Sequence, residues 1–375
     1  MAPVYKALEA NPGVSVQLIH SGQHQDMADP FYESFQMRVD HRVELERKGS
    51  DLASLTAALL TSLSGVLAQI NPEAVLVHGD TSTSAAAALA CFYQKIPVGH
   101  VEAGLRTHDL YSPFPEELNR SLIGRIARWH FAPTLNAAKN LAKEGVDSGS
   151  VHVTGNTVID AALMTQKRLA SCSIKSTLQT WVDNIVDSGQ KLVLVTSHRR
   201  ENWNGGIASI AEAVGDLARR YPDIVFMWPV HANRAVLEMV DGALGAYPDV
   251  ANRINLLQPI GYEEMIWTLS KAWSILTDSG GLQEEATAFK TPVLVLREST
   301  ERPELITAGG GVLVGTDKNA IISAFSRIKE SPVCYNEMIT AGAPFGNGSA
   351  AKLINDVLTS SLCLDDLNEN ISLSA

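Results

Sequence analysis

The sequence predicts an α/β protein built from two Rossmann-like domains with parallel sheets. Short apolar, β-branched runs alternate with longer stretches of helical spacing, and this alternation is typical of parallel strands in βα units. The chain of 375 residues also exceeds what one hydrophobic core usually serves, so two domains are expected. The predicted strands lie at 14–19, 74–77, 98–101, 129–132 and 151–154, and then at 192–195, 224–228, 254–257, 274–276 and 293–296.

A helical segment at 162–190 separates the two strand sets and predicts the domain boundary. We assign residues 1–165 to an N-terminal domain and 166–357 to a C-terminal domain. Residues 358–375 are predicted to be a frayed tail, because the apolar periodicity ends there. Ligands of open α/β sheets bind beyond the carboxyl ends of the strands, so we expect the active site in those loops and in the cleft between the domains.

The composition excludes several classes of partner. The formal net charge of −11 argues against a nucleic-acid or anionic-membrane binder, which needs a basic surface. The four cysteines are widely spaced, so neither a zinc site nor a disulfide framework is indicated. No signal peptide and no run of about 18 apolar residues stands out. A cytoplasmic protein without a metal is expected.

Three acidic residues follow predicted strand ends of the N-terminal domain. Asp80 lies in HGDTSTS (78–84), Glu102 in GHVEAGLRT (99–107) and Glu116 in YSPFPEELNR (111–120). Each has a structural alternative, because Asp80 could cap a helix and Glu116 could form a surface ion pair with Arg120. Their convergence on one sheet edge favours proton-transfer chemistry, since neighbouring acids can divide the acid and base roles.

Two loops of the C-terminal domain indicate a phosphate site. TSHRRENW (196–203) follows the first strand of that domain and brings His198 and Arg199 to its end, although an Arg–Glu surface network is the alternative. DSGGLQEEA (278–286) opens a helix whose N-terminus favours negative charge. Its acids could accept hydrogen bonds from ribose hydroxyls or could merely compensate the helix dipole. The candidates in this segment are Ser279, Gly280, Gly281, Glu284 and Glu285.

Three further segments lie just past predicted strands, namely SGQH (21–24), PVHAN (229–233) and ESTERPE (298–304). Spacing alone gives them no role, and a lone histidine such as His231 is more often structural.

Taken together, these loops resemble the non-hydrolysing UDP-N-acetylglucosamine 2-epimerase family. The resemblance spans nearly the whole chain and rests on six motifs in order. They are HGDT (78–81), GHVEAGLR (99–106), PEE with NR (115–120), TGNT (154–157), HRRE (198–201) and DSGG with EE (278–285).

The resemblance implies a glycosyltransferase-B-like fold, a homodimer and no metal or other cofactor. It also implies reversible conversion of UDP-N-acetylglucosamine to UDP-N-acetylmannosamine through a 2-acetamidoglucal intermediate, for surface polysaccharide synthesis. Carried over by motif, Asp80, Glu102 and Glu116 would be the catalytic acids. Arg120 and His198 would lie beside the substrate and its diphosphate. UDP would be held by Arg199, Ser279, Gly280, Gly281 and Glu285.

In parts of the family a second UDP-N-acetylglucosamine binds nearby as an activator. Gln23, Arg199 and His231 match that pattern in part, so Gln23 and His231 are candidate allosteric residues.

The resemblance also implies a strand before the first helix, ending in a Gly-Thr-Arg-Pro-Glu loop with an Arg and a Lys near the diphosphate. This sequence opens instead on a helical pattern at 1–10, whereas a Rossmann-like unit begins with a strand. The expectation is a chain with a late start codon or a shortened front, and one that is inactive or nearly so.

Three rival functions remain at this point. A hydrolysing relative would release N-acetylmannosamine and UDP, and a glycosyltransferase of the same fold would need an acceptor. An inactive nucleotide-sugar-binding form is the rival from a different class.

Overall fold

The computed structural model describes residues 1–23, 25–47, 49–230 and 233–372. The chain divides into two compact units. Unit 1 comprises Met1–Ala161 with Gly346–Ala375, and unit 2 comprises Ala162–Phe345. The α/β class with parallel sheets is confirmed, since all strand pairings among the described residues are parallel.

The helices and strands of the first part of the chain are, in order, α1 Ala2–Glu9, β1 Ile19–His20, α2 Gln25–Ser34, β2 His41–Arg42, α3 Leu52–Ile70, β3 Val75–His78, α4 Ser82–Tyr93, β4 Val98–Val101, α5 Glu116–Ile126, β5 Trp129–Ala132, α6 Leu135–Lys143, β6 Val151–Val153 and α7 Thr157–Ser171.

The remaining elements are α8 Thr177–Asp187, β7 Lys191–Thr196, α9 Gly206–Arg220, β8 Ile224–Pro229, α10 Arg234–Leu244, β9 Ile254–Leu257, α11 Tyr262–Lys271, β10 Ser274–Thr277, α12 Gly280–Ala288, β11 Val293–Val295, α13 Pro303–Ala308, β12 Gly311–Leu313, α14 Lys318–Glu330, α15 Pro332–Ile339 and α16 Ala350–Ser372.

The sheet of unit 1 has the order β3-β4-β5-β6, and β1 and β2 form a separate two-stranded sheet. The strand predicted at 14–19 pairs only at its end, where Ile19 lies opposite His41. The short strand β2 was not predicted, because two residues give no alternating pattern. Helices α3 and α4 cover one core of this unit, while α1 and α16 pack over β4 and β5.

Helix α16 corrects the predicted tail and the predicted end of the C-terminal domain. Residues 346–357 belong to unit 1, and the helix continues to Ser372. Ile354 and Leu358 are buried in one cluster with Val4 and Phe131. Asp160 accepts hydrogen bonds from the backbone N–H groups of Ala350 and Ala351 at the start of the helix. The last helix is therefore part of the unit 1 core.

Helix α3 is long and apolar enough to cross a membrane by composition, with a mean hydropathy of 1.5, although no such run was expected from the sequence. Its buried residues are spaced four apart and form one stripe in the core of unit 1. Such a stripe is typical of a core helix in a folded domain. The buried residues are Leu55, Leu59, Leu63 and Leu67.

Unit 2 contains a six-stranded parallel sheet with the order β12-β11-β10-β7-β8-β9. The centre of the sheet is thus β7 and β10, whose carboxyl ends carry the two segments predicted to bind phosphate. Strand β12 was not predicted, because its three residues follow a Gly-rich turn. Aromatic and aliphatic side chains such as Phe226, Trp228 and Phe325 fill the core.

Candidate active site

Asp80 and Glu102 lie on neighbouring loops of unit 1. Asp80 follows β3 and Glu102 follows β4 directly, and these two parallel strands are paired. Glu116 is the first residue of α5 and is half-buried. The structure thus brings Asp80 and Glu102 to the same sheet edge, whereas Glu116 begins a helix and does not directly follow a strand end.

Helix α5 holds the loop that carries Asp80. The Nε of Arg120 donates to Oδ2 of Asp80 over 3.1 Å, and its Nη2 donates to the same oxygen. The side-chain amide of Asn119 donates to the carbonyl oxygen of Asp80 over 2.8 Å. The structural alternative for Glu116, a surface ion pair with Arg120, is not seen, because the guanidinium pairs with Asp80 and Glu117 instead.

Glu117 is a buried carboxylate for which the sequence pattern predicted no role. Its Oε1 accepts hydrogen bonds from the backbone N–H groups of Thr107 at 3.0 Å and His108 at 2.9 Å. Its Oε2 lies 3.2 Å from Nη1 of Arg120. A buried charge needs such compensation, so Glu117 joins the loop after β4 to Arg120. The only sequence signal for this role was the position of Glu117 as the second acid of the Pro-Glu-Glu motif.

Glu102 occupies a strained backbone position with φ of 65°, which a residue other than glycine rarely adopts. Asn156 donates to its Oε1 over 3.2 Å, and Nε2 of His78 lies 3.6 Å from its Oε2. A Cβ atom on Gly79 would lie only 3.2 Å from that same Oε2. The turn and these neighbours together fix the direction of the carboxylate.

The two candidate allosteric residues differ in what the structure shows. Gln23 accepts a hydrogen bond from Oγ1 of Thr83 over 2.6 Å. Thr83 lies in the first turn of α4, directly after the Asp80 loop. His231 lies outside the described residues.

In unit 2, the loop after β7 is fastened to Asp278, which follows β10. The Nδ1 of His198 lies 3.0 Å from Oδ1 of Asp278, and the backbone N–H of Arg199 donates to Oδ2 over 2.8 Å. Burial alone would raise the pKa of Asp278, but the bonds from His198 and from the Arg199 N–H hold it below its ordinary value. Asp278 is a second functional candidate for which the sequence pattern predicted no role.

The N-terminus of α12 is open beside Arg199. Ser279 caps this helix by accepting from the N–H of Leu282 over 3.5 Å. A Cβ on Gly281 would meet no atom within 4 Å, and one on Gly280 would meet Nη2 of Arg199 at 4.0 Å. The helix dipole and a nearby guanidinium make a site that favours an anion.

Glu284 and Glu285 are buried and lie beyond the first turn of α12. Compensation of the helix dipole, the structural alternative, therefore does not explain them. Glu284 forms an ion pair with Arg302. Burial, and then the charge of Glu284, raises the pKa of Glu285 to about 8, so this carboxyl is largely protonated at neutral pH.

The alternative of an Arg–Glu network applies to two residues of the loop after β7, Arg199 and Glu201. Glu201 pairs with Nε of the buried Arg297 over 2.8 Å. Arg199 lies 4.0 Å from Glu301, which is itself 3.8 Å from Arg297. His198 is bonded to Asp278 and takes no part in that network. Across the ranges described, no group of three or more His, Cys, Asp or Glu residues is arranged to hold a metal ion.

Comparison with known proteins gives a consistent result over nearly the whole chain. The family described as UDP-N-acetylglucosamine 2-epimerase matches residues 6–359. The Escherichia coli (strain K12) protein of that name is 42% identical over 359 residues, covering 96% of this chain and 94% of the relative.

Two solved structures are also similar to this chain. The Neisseria meningitidis UDP-GlcNAc 2-epimerase bound to UDP-GlcNAc is 40% identical with a TM-score of 0.83, covering 96% of each chain. The S. aureus MnaA structure with UDP is 39% identical with a TM-score of 0.82, covering 97% of this chain and 93% of the other. These matches confirm the glycosyltransferase-B-like fold predicted from the resemblance.

Proposed function

The chain belongs to the UDP-N-acetylglucosamine 2-epimerase family, and we propose that it interconverts UDP-N-acetylglucosamine and UDP-N-acetylmannosamine while retaining UDP. The observation that carries this proposal is the meeting of Asp80 and Glu102 at the ends of two paired strands. It is an isomerase reaction that draws on no bound cofactor.

The chemistry requires both proton transfer and a retained diphosphate. The C2 proton of the sugar is not next to a carbonyl, so direct abstraction is slow. Elimination breaks the C1–O bond to UDP and removes the C2 proton, which gives 2-acetamidoglucal and UDP. Re-addition of UDP at C1 with protonation of C2 from the opposite face gives the epimer.

Unit 1 supplies the acids for this reaction. Asp80, Glu102 and Glu116 accept and return the C2 proton and stabilise positive charge that develops at C1. Arg120 keeps Asp80 in place through its two bonds to Oδ2. Asn156 and the strained turn keep Glu102 in place. Preorganised carboxylates need little rearrangement as the reaction proceeds.

Residues of unit 2 bind UDP. Arg199 and the open N-terminus of α12, with Ser279, Gly280 and Gly281, bind the diphosphate. His198 lies beside the same phosphates and assists the leaving and returning oxygen. The buried carboxyl group of Glu285 accepts hydrogen bonds from the ribose hydroxyls. A firm hold keeps UDP bound between elimination and re-addition.

Incubation with UDP-N-acetylglucosamine in heavy water tests the proposal. We expect UDP-N-acetylmannosamine with deuterium at C2. Free N-acetylmannosamine and UDP would instead indicate the hydrolysing reaction, and UDP release that needs an acceptor would indicate a transferase. Binding without turnover would indicate an inactive nucleotide-sugar binder. Glu102→Gln serves as the matched control and should incorporate little deuterium.

A homodimer in the cytoplasm is also proposed, for use in surface polysaccharide synthesis. Exposed apolar side chains are concentrated in and just before α5, and the rings of Tyr111 and Phe114 stack on each other. Such a patch is typical of an interaction surface. Light scattering should give about twice 40.4 kDa, and Tyr111→Ser with Leu118→Ser should lower that mass. A monomeric wild-type protein would contradict the dimer.

Activation by a second UDP-N-acetylglucosamine is a further proposal, with Gln23 and His231 as candidate residues. The bond between Gln23 and Thr83 supports a link from the 21–23 segment to the Asp80 loop. Without the activator, the rate with UDP-N-acetylmannosamine as sole substrate should be low and rise as product accumulates. A hyperbolic rate curve would contradict activation.

A further inference from the structure

Asp278 is a fully buried carboxylate placed by the pairing of two central strands. It directly follows β10, whose last residue Thr277 lies opposite Thr196 at the end of β7. Asp278 therefore lies next to the loop that follows β7. None of its side chain is exposed, whereas 46% of the His198 side chain is exposed.

The two oxygens of this carboxylate have different partners. Oδ2 accepts from the backbone N–H groups of His198 at 2.9 Å and Arg199 at 2.8 Å, and from the Asn202 amide at 3.0 Å. Oδ1 lies 3.0 Å from Nδ1 of the His198 ring and 3.2 Å from the backbone N of His198. Oδ2 thus holds the loop after β7 in place, while Oδ1 holds the imidazole ring of His198.

The bond to Oδ1 determines the tautomer of the ring. An ionised carboxylate only accepts hydrogen bonds, so the proton of a neutral imidazole must be on Nδ1. The lone pair then lies on Nε2, the nitrogen that Asp278 does not contact. A ring held in this way can accept a proton at Nε2, or donate one there when it is protonated.

We infer that Asp278 is a positioning residue that fixes the tautomer and direction of His198, so that Nε2 faces the bound diphosphate. This inference rests on the role proposed for His198 in the reaction. The bonds to the loop backbone alone would make Asp278 merely structural. The separate bond from Oδ1 to the ring distinguishes the two roles.

The tautomer is measured directly on the wild-type protein by ¹⁵N NMR with labelled histidine. The chain has 10 histidines, so the His198 signals are assigned by comparison with the His198→Gln protein. At a pH where the ring is neutral, we expect a protonated Nδ1 and an unprotonated Nε2. A ring protonated on Nε2 would overturn the inference, whether or not the protein proves to be an epimerase.

Turnover measurements test whether the bond matters to the reaction. Asp278→Asn should lower kcat by at least about tenfold, because the ring loses the acceptor that sets its tautomer. The same change in the His198→Ala background should lower kcat much less, since no ring remains to be oriented. An equal loss in both backgrounds would overturn the inference.

Asn202→Ala is the matched control, because it removes a buried donor to Oδ2 and leaves the ring bond intact. It should lower the melting temperature while kcat falls far less than in Asp278→Asn. Loss of turnover equal to that of Asp278→Asn would show that Asp278 acts only through loop stability. If Asp278→Asn does not fold, the NMR measurement still decides the inference.

Discussion

Asn156 donates its side-chain amide to Oε1 of Glu102 across 3.2 Å. The two residues are 54 positions apart in the sequence, in the loops that follow β6 and β4. Asn156 is itself buried, and its Oδ1 accepts from the N–H of Val158 at the start of α7. The amide is therefore fixed at both ends, which makes it a firm support for the Glu102 carboxylate.

Asn156→Ala should lower kcat by about tenfold to a hundredfold, because Glu102 loses the donor that holds its carboxylate. Asp51→Ala removes a helix cap of the same unit at an exposed site and is the control. It should reduce stability, because the helix loses its cap, with kcat unchanged. An Asn156→Ala protein with wild-type turnover would show that this hydrogen bond has no part in the reaction.

Asp80→Asn, Glu102→Gln and Glu116→Gln should each lower turnover by at least about a hundredfold. UDP affinity should stay nearly unchanged, since these residues act on the sugar. The measurements are single-turnover kinetics and calorimetric UDP binding. Glu9→Gln, at an exposed ion pair with Lys6, is the control. Near-normal rates in all three variants would show that these carboxylates take no part in the reaction.

Arg199→Ala and His198→Ala should weaken UDP binding, because a contact to the diphosphate acts in the ground state as well as the transition state. Calorimetry with UDP alone measures the effect. Arg234→Ala removes an arginine of the same unit whose side chain is 91% exposed and paired with Glu238. That control should bind UDP normally. Unchanged affinity in both test variants would refute the diphosphate site.

His100 and His130 lie directly opposite each other on β4 and β5, and both are buried. Burial lowers the pKa of His100 to about 3 and that of His130 to about 4. An unfolded histidine has a pKa of about 6.5, so protons bind the unfolded chain preferentially. The stability of unit 1 is then fully present above about pH 6.5 and falls as the pH drops toward the folded values.

Replacing either histidine with Asn should make the stability less steeply dependent on pH, by up to about 1.4 kcal/mol per pH unit. Urea unfolding at several values between about pH 7 and pH 5 measures the slope, and the double variant should show the larger effect. Curves that run parallel to the wild-type curve would mean that these rings do not drive acid lability.

Gly104→Ala should destabilise unit 1 strongly. Gly104 has φ of 89°, and an added Cβ would lie 2.3 Å from the carbonyl oxygen of Ala137. Gly145→Ala is the matched control, because φ there is 79° but nothing lies within 4 Å. Both variants carry the backbone strain of about 1 kcal/mol, so the difference in their urea midpoints isolates the clash. Equal midpoints would contradict the close approach.

The sequence by itself determined the fold class and most strands of both sheets. The strands at 98–101, 129–132 and 254–257 were predicted at the bounds that the structure shows, because short β-branched runs between polar loops are a local signal. Placement of Asp80 and Glu102 at one sheet edge followed from the same pattern, since parallel strands align their carboxyl ends.

Only the tertiary structure decided which side chains hold the site together. The Arg120–Asp80 bond joins residues 40 positions apart, and the bond from Asp278 to the backbone N–H of His198 spans 80 positions. Helix α16 likewise packs in the core of unit 1 against residues that are far away in the sequence, such as Val4. A local sequence pattern predicts which face of a helix or strand is apolar. It does not predict which distant donor forms a hydrogen bond with a buried carboxylate. That choice depends on chain packing, because a buried charge is stable only beside the partners that packing brings to it.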